Sequence, residues 1–478
     1  MDAILTPPTR LAETLGTKLR RLAQGADRGN PTANLPWKAP GAYVQGTAYK
    51  PGNVVASGGN WYVAANTSTS VGAAGPTHAT ADPVFDGSGS TGTLWSYCGP
   101  AQMATDDAAA PTLSIAASPT LPNLYRPNAH PDRFRVLGAS PSAYLTSRWQ
   151  FDVFQSKAGT TVQGLSTSVE FMIDEGQFEI EQIAATNGIA ILVDGRFLSA
   201  DAIVSAATDQ WIKVTIPGGR RTHRIEIRGD RRGWYFGGVR LSATGQVYAP
   251  PADDIVRAVF IEDSIGAGSS YGPWLAGRTL HRQIADLLGI RDAWSLSKGG
   301  TGYLAKDTDG LSYSYGERLA QVAALKPDIA FFAGSSNDRG TVLGNAATAG
   351  DITAAALASF RSLRNLGFAG PIVVFGLVSI DDSAAVSTQK IAYVEQAVAD
   401  AVTAFGDASC WFVPVRNDPV GAWVTGAWNY GTQTTSANSG AFTNTSGSDK
   451  THPSDLGSAY YAARRAAAFR RNVLTRMR

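Results

Sequence analysis

From residue 250 onward, short apolar runs alternate with stretches whose apolar positions recur every three or four residues. The apolar runs, at 256–261, 292–296, 328–333, 371–376 and 411–415, suit strands buried on both faces of a parallel sheet. The periodic stretches, at 273–288, 312–325, 350–366, 384–405 and 455–476, read as helices. Strand–helix alternation of this kind requires right-handed crossovers and helices on both faces of the sheet. Five such strands predict a three-layer α/β/α, flavodoxin-like domain over residues 249–478.

Residues 101–248 follow a different rule. Val169, Phe171 and Ile173 alternate with Glu170 and Met172; Ile212, Val214 and Ile216 alternate with Lys213 and Thr215; Ile225 and Ile227 alternate with charged residues. Turn signals at Asp194-Gly195, Pro217-Gly218-Gly219 and Arg232-Gly233 separate these runs. Many short period-2 strands predict a β-sandwich, of jelly-roll type. Before it, residues 36–100 form a small β module with strands around Tyr49–Val55, Asn60-Trp61-Tyr62 and Leu94-Trp95-Ser96-Tyr97. That order of turns and aromatics resembles chitin-binding-type carbohydrate-binding modules, which implies rings stacked on sugars. In a module this small, Trp61 and Trp95 are equally suited to be core. Residues 1–35 combine a linker with a short amphipathic helix marked by Leu11, Leu15, Leu19 and Leu22, with Arg10, Lys18, Arg20 and Arg21 around it. Such a helix either docks on its own chain or serves attachment or homo-oligomerisation.

Composition narrows the function classes. Among 478 residues, 44% are hydrophobic and 17% charged, and the formal net charge of +2 argues against nucleic-acid or membrane binding as the main role. The two cysteines, Cys98 and Cys410, fit neither a disulfide framework nor a cysteine zinc site. No apolar run reaches the 18 residues of a membrane span, and residues 1–24 lack the apolar core of a signal peptide.

Chemistry-bearing residues cluster at the ends of the predicted strands, where open parallel sheets bind ligands. Glu262-Asp263-Ser264 follows the first strand, Gly299-Gly300-Thr301-Gly302 the second, and Gly334-Ser335-Ser336-Asn337-Asp338 the third; Asp449-Lys450-Thr451-His452-Pro453 precedes the last helix. In this order the four stretches resemble the SGNH (GDSL-type) hydrolases. The resemblance covers about residues 250–478 and implies a serine esterase that needs no metal or cofactor. Ser264 is then the nucleophile, activated by a base. Of five histidines, only His452 sits in a loop before a helix with a carboxylate three residues earlier, so Asp449 is expected to orient it. His281, inside a helix with an apolar face of Leu280, Ile284, Leu287 and Leu288, is expected at the surface. The resemblance also implies an oxyanion hole from the backbone N–H of Ser264, the N–H of Gly300 (with Gly299 and Gly302 as register alternatives) and the Asn337 side-chain amide. Two departures stand out. Glu262 occupies the usual glycine of Gly-Asp-Ser, and Gly268-Ser269-Ser270-Tyr271-Gly272 matches a nucleophile elbow around Ser270, but lies too far beyond the strand.

The segment 416–448 carries Trp423, Trp428, Tyr430 and Phe442 among small polar residues. It is expected either to wall the site, with Trp423, Trp428 and Tyr430 binding a sugar chain, or to pack on the domain. The run Arg220, Arg221, Arg224, Arg228, Arg231 and Arg232 reads as a solvated strand face or a contact for an acidic polysaccharide. Together these features point to removal of O-acetyl groups from an acetylated polysaccharide, with a lipase-like esterase and an inactive carbohydrate-binding protein as competing readings. An extracellular substrate without an export signal suits a phage or prophage tail-associated, virion-borne enzyme. Because the hydrolase domain is predicted to have its own core, residues 1–100 are expected to be dispensable for activity on small esters.

Overall fold

The computed structural model describes residues 14–477 except 29–35, 37–38, 80–83, 89, 101–109, 145–147, 156–160, 164–166, 183–187, 201, 205–208, 230–233, 252–254, 270–271, 307–312, 344–346, 378–384, 421–422, 424–427, 430–433 and 436–451. Its centre is a parallel sheet of five strands, in the order Asp292–Ser295, Arg257–Ile261, Ile329–Ala333, Ile372–Phe375 and Cys410–Val413. Each lies within two residues of its predicted bounds. The second strand in the chain pairs on one side of the first, and the remaining three follow on the other, so the chain direction of wrapping reverses at Arg257–Ile261.

Side chains along each strand point alternately to the two faces. Val259, Ile261, Ala330 and Phe332 pack with Leu319 and Val322 of α4 (Leu319–Ala324), Ile352 and Phe360 of α6 (Ala349–Asn365), and Val394 and Val398 of α7 (Ala385–Phe405). Ala258, Phe260, Ile329 and Phe331 pack with Leu280, Ile284 and Leu288 of α3 (Leu280–Leu288) and with Tyr461, Ala466 and Phe469 of α8 (Asp455–Phe469). Leu19 and Ala23 of α1 (Leu15–Arg28) join this second core, and Arg20 donates to the carbonyls of Leu474 and Met477. The apolar face of α1 is therefore covered by its own chain.

Two antiparallel sheets precede this unit. One has seven strands, along the path Arg135–Leu137, Ser168–Ile173, His223–Gly229, Gly188–Val193 and Arg196–Phe197; the other has eight, including Arg148–Gln155, Tyr235–Leu241, Gln177–Gln182 and Gln210–Thr215. The alternating apolar positions face a shared interior, where Val169, Phe171, Ile225 and Ile227 of one sheet meet Phe178, Ile212, Val214 and Phe236 of the other. The opposite, polar side of the seven-stranded sheet is not solvated. Arg228 pairs with Glu226 and with Asp286 of α3, Glu170 takes Arg224 and Arg291, and the Asp292 carboxylate accepts from the N–H of Gly138. Arg220 pairs with Asp174. Arg220, Arg224 and Arg228 are thus engaged in ion pairs, exposed Arg221 donates to His223, and Arg231 and Arg232 lie outside the described residues.

The small module is a five-stranded sheet ordered Gly41–Ala42, Val54–Ser57, Asn60–Ala64, Leu94–Pro100 and Val84–Phe85. Trp95 and Tyr62 are its fully buried core, with Tyr49 set edge-on to Trp95 at 4.8 Å between centroids. Trp61 is half-buried. Leu456 of α8 packs on this core, and the N–H of Ala202 donates to the Gly52 carbonyl. Residues 1–100 thus share packing with 249–478, α1 against α3 and the 470–477 segment and the module against α8.

Candidate active site

The first strand ends at Ile261, and Asp263 caps α2 (Ser264–Ala267) by accepting from the N–H of Ile265 at 2.9 Å. Ser264 is the first residue of α2 and half-buried, at the carboxyl end of the strand where the wrapping reverses. The other Asp263 oxygen accepts from the N–H of Ser336 at 2.8 Å, which ties this turn to α5 (Ser336–Leu343).

The glycine loop and the Asn337 loop are bound to each other as tightly. Asp338, wholly buried, accepts from the N–H groups of Tyr303, Leu304 and Ala305 at 2.7–3.0 Å. Asn337 donates its side-chain amide to the Thr301 carbonyl at 2.9 Å, and the Ser335 hydroxyl donates to the same carbonyl at 3.1 Å. The Asn337 amide carries two hydrogens, and Thr301 takes one. Within the loop, a Cβ on Gly299 would stand 3.5 Å from the Ser264 Cβ, so Gly299 lies against the nucleophile candidate. Gly300 turns the chain with φ +74°, a conformation side chains rarely adopt. A Cβ on Gly302 would collide with Ser335 and Asp338, which excludes any larger residue there. Arg318, completely buried, crosses beneath the loop and donates to Thr301 Oγ1 at 3.0 Å and to the Leu296 carbonyl.

His452 comes to the same edge. It stands close enough to Asp263, the residue before Ser264, to bear on that carboxyl electrostatically. Two ties hold its loop: Ser454 caps α8 by accepting from the N–H of Gly457, and Asp455 accepts from the N–H groups of Trp274 and Leu275, which follow α2 in the chain. Asp449 lies outside the described residues. Burial, reinforced by the neighbouring charge of Glu262, pushes the Asp263 carboxyl up to about 6, against the pull of its two N–H donors and of His452. Glu262 is equally buried, yet the Arg465 guanidinium beside it holds its carboxyl down at about 2.

This arrangement can be set beside known proteins. No protein-family model matches the chain, and no curated protein matches it. Solved structures do. The salicylyl-acyltransferase SsfX3 from a tetracycline biosynthetic pathway is 16% identical, with a TM-score of 0.52, over 78% of this chain and 100% of that one. A family two carbohydrate esterase from Cellvibrio japonicus gives 13% identity and a TM-score of 0.49 over 77% and 100%. An acetyl xylan esterase, Est2A, from the rumen bacterium Butyrivibrio proteoclasticus gives 14% and 0.45 over 71% and 96%. The chain shares the fold of SsfX3.

Several expected site residues fall elsewhere. Trp423 is fully buried, donates Nε1 to Asp418 at 2.8 Å and packs on Phe375, so it is core and does not bind substrate. Trp428 lies in the short strand Trp428–Asn429, while Tyr430, Phe442 and Ser270 lie outside the described residues. His281 is not at the surface but completely buried, with Nε2 2.8 Å from Glu262 and Nδ1 2.9 Å from the Ser295 hydroxyl. Its position three, four and seven residues before Ile284, Ala285 and Leu288 was the available signal. Asp338 and Arg318, which fix the glycine loop, had no local signal, because their partners lie on other segments of the chain.

Proposed function

We propose that this protein is a serine esterase that removes O-acetyl groups from a polysaccharide. The observation that carries the reading is the joining of three loops around Ser264, through Asp263 to the Ser336 N–H and through Asn337 to the Thr301 carbonyl. A wall so tied holds hydrogen-bond donors in place before charge develops, as acyl transfer demands. In the proposed reaction His452 takes the Ser264 proton as Oγ attacks the ester carbonyl, with Asp449 orienting the imidazole. The oxyanion is received by the N–H of Ser264, the N–H of Gly300 or its neighbour Gly299, and the Asn337 amide. His452 then gives the proton to the sugar oxygen as the acyl C–O bond breaks, freeing the sugar hydroxyl, and water, activated by the same base, releases acetate from Ser264.

The substrate class rests on the tandem β units before residue 250, which we read as a jelly-roll sandwich and a carbohydrate-binding-type module. With Trp95 in the module core and Trp423 in the hydrolase core, any sugar-stacking surface falls to Trp428, Tyr430 and the half-buried Trp61. Delivery by a phage or prophage tail is part of the same proposal. Acetate release measured across acetylated xylan, chitin fragments and bacterial exopolysaccharides tests it. A polymer turned over faster than a small acetyl ester supports the reading; a preference for long acyl chains replaces it with the lipase-like alternative.

A further inference from the structure

Glu262 stands where the resembled motif has glycine, and its side chain enters a sealed ionic cluster. Its carboxylate takes both terminal nitrogens of Arg465, one at 2.7 Å, and lies 2.8 Å from His281 Nε2. His281 continues to the Ser295 hydroxyl at 2.9 Å, and its ring stacks on Phe260 at 4.6 Å. Glu262, His281, Ser295 and Arg465 are each 2% exposed or less. Four elements meet here: the strand that leads to Ser264, the neighbouring strand, α3 and α8.

Two contacts connect this cluster to the site. A Cβ on Gly266 would lie 2.4 Å from His281 Cε1 and 2.6 Å from Glu262 Oε2, so the cluster presses directly on the backbone of α2, two residues past Ser264. Arg465 belongs to α8, whose cap Ser454 follows His452 by two residues. A dry ion pair is a poor way to gain stability, since packed apolar residues of similar volume do as well or better. What a bidentate Arg–carboxylate pair does supply is a fixed distance and orientation.

We propose that the Glu262–Arg465 pair, backed by His281, is a positioning device that fixes the turn bearing Ser264 relative to the helix that follows His452. The pair touches no substrate and acts through Ser264 and His452. The inference rests on the esterase reading of those two residues.

Thermal stability, kcat, KM and the pH profile on a small acetyl ester, measured for Glu262→Gln and for the double variant Glu262→Met/Arg465→Met, test it. Displacing a reacting group by about 1 Å costs up to roughly 10²-fold. Glu262→Gln is expected to lose kcat on that scale while KM changes little. Its acid limb is expected to move to lower pH. The groups acting on Asp263 are Glu262, His452, Tyr315, Arg318 and Arg465, and losing the Glu262 charge leaves Arg465 unopposed, which favours ionised Asp263. The double variant is expected to recover thermal stability but not kcat. A folded double variant with wild-type kcat overturns the proposal, because the pair is then only structural. Wild-type protein that hydrolyses no ester overturns the esterase reading, and this inference falls with it.

Discussion

The two edges of the parallel sheet are both polar, and they use their charges differently. At the amino edge, acids and arginines pair side chain to side chain: Arg257 with Asp292, Arg228 with Asp286, and Arg291 with Glu170. At the carboxyl edge, the aspartates are spent on backbone. Asp263 holds the N–H groups of Ile265 and Ser336, Asp338 those of Tyr303, Leu304 and Ala305, and Asp455 those of Trp274 and Leu275. Side-chain pairs join one structural unit to another. Carboxylates on backbone N–H groups fix the path of loops, which a site needs if its donors are to be in place before reaction. The Glu262–Arg465 pair departs from this pattern at the carboxyl edge, and it lies beneath the loops and not among them.

The difference can be broken at either edge. The largest effect is expected for Ser264→Ala, with turnover of an acetyl ester reduced on the order of 10⁶-fold and thermal unfolding unchanged. Retained activity there, with loss in Ser270→Ala, would move the nucleophile to the other serine. Next, Asn337→Ala should lower kcat by roughly 10²–10³ with KM little changed, because the donor acts mainly in the transition state. The amino edge should answer in the opposite currency. Arg228→Met leaves Glu226 without its buried cation and Asp286 with Arg282 alone, and should cost about 3–5 kcal/mol in stability, read by denaturant unfolding. Its kcat should match wild type at temperatures where it is folded.

The smallest effect is in pH dependence. Asp263, raised to about 6 when folded, takes up its proton in the native state first, so its contribution to stability falls as pH rises from about 4 to about 6. Glu262, held at about 2, works the other way: its contribution is present above the ordinary glutamate range and is lost as pH falls towards 2. Turnover should decline as pH drops through about 6, since protonated Asp263 gives up acceptor capacity for the Ile265 and Ser336 N–H groups. Unfolding of wild type, Asp263→Asn and Glu262→Gln between pH 3 and 7 separates the two: the first variant should lose the upper window and the second the lower.

Much of this was legible in the chain, for a physical reason. The strands of the parallel sheet are buried on both faces, so 256–261 and 328–333 read as unbroken apolar runs whatever packs on them. Strand-end motifs were legible because a sheet edge converts sequence order into proximity. Partners from elsewhere were not. Periodicity places His281 on a helix face but does not say that Glu262 waits there, and Arg228 reads as solvated because nothing local marks α3 as its cover. Trp423 misled by composition: a tryptophan among small polar residues looks exposed, yet Asp418 satisfies its N–H and Phe375 its ring. The module's Trp95 was undecided for the same reason, and packing resolved it as core.

The central claim is that Ser264 is a nucleophile activated at the carboxyl edge. Labelling the full chain with a fluorophosphonate and sequencing the modified peptide by mass spectrometry tests it most directly. The peptide following Arg257 also contains Ser269 and Ser270, so fragmentation must locate the adduct. The account predicts one adduct, on Ser264, that is lost in His452→Ala. An adduct on Ser269 or Ser270, or labelling that persists without His452, would contradict it.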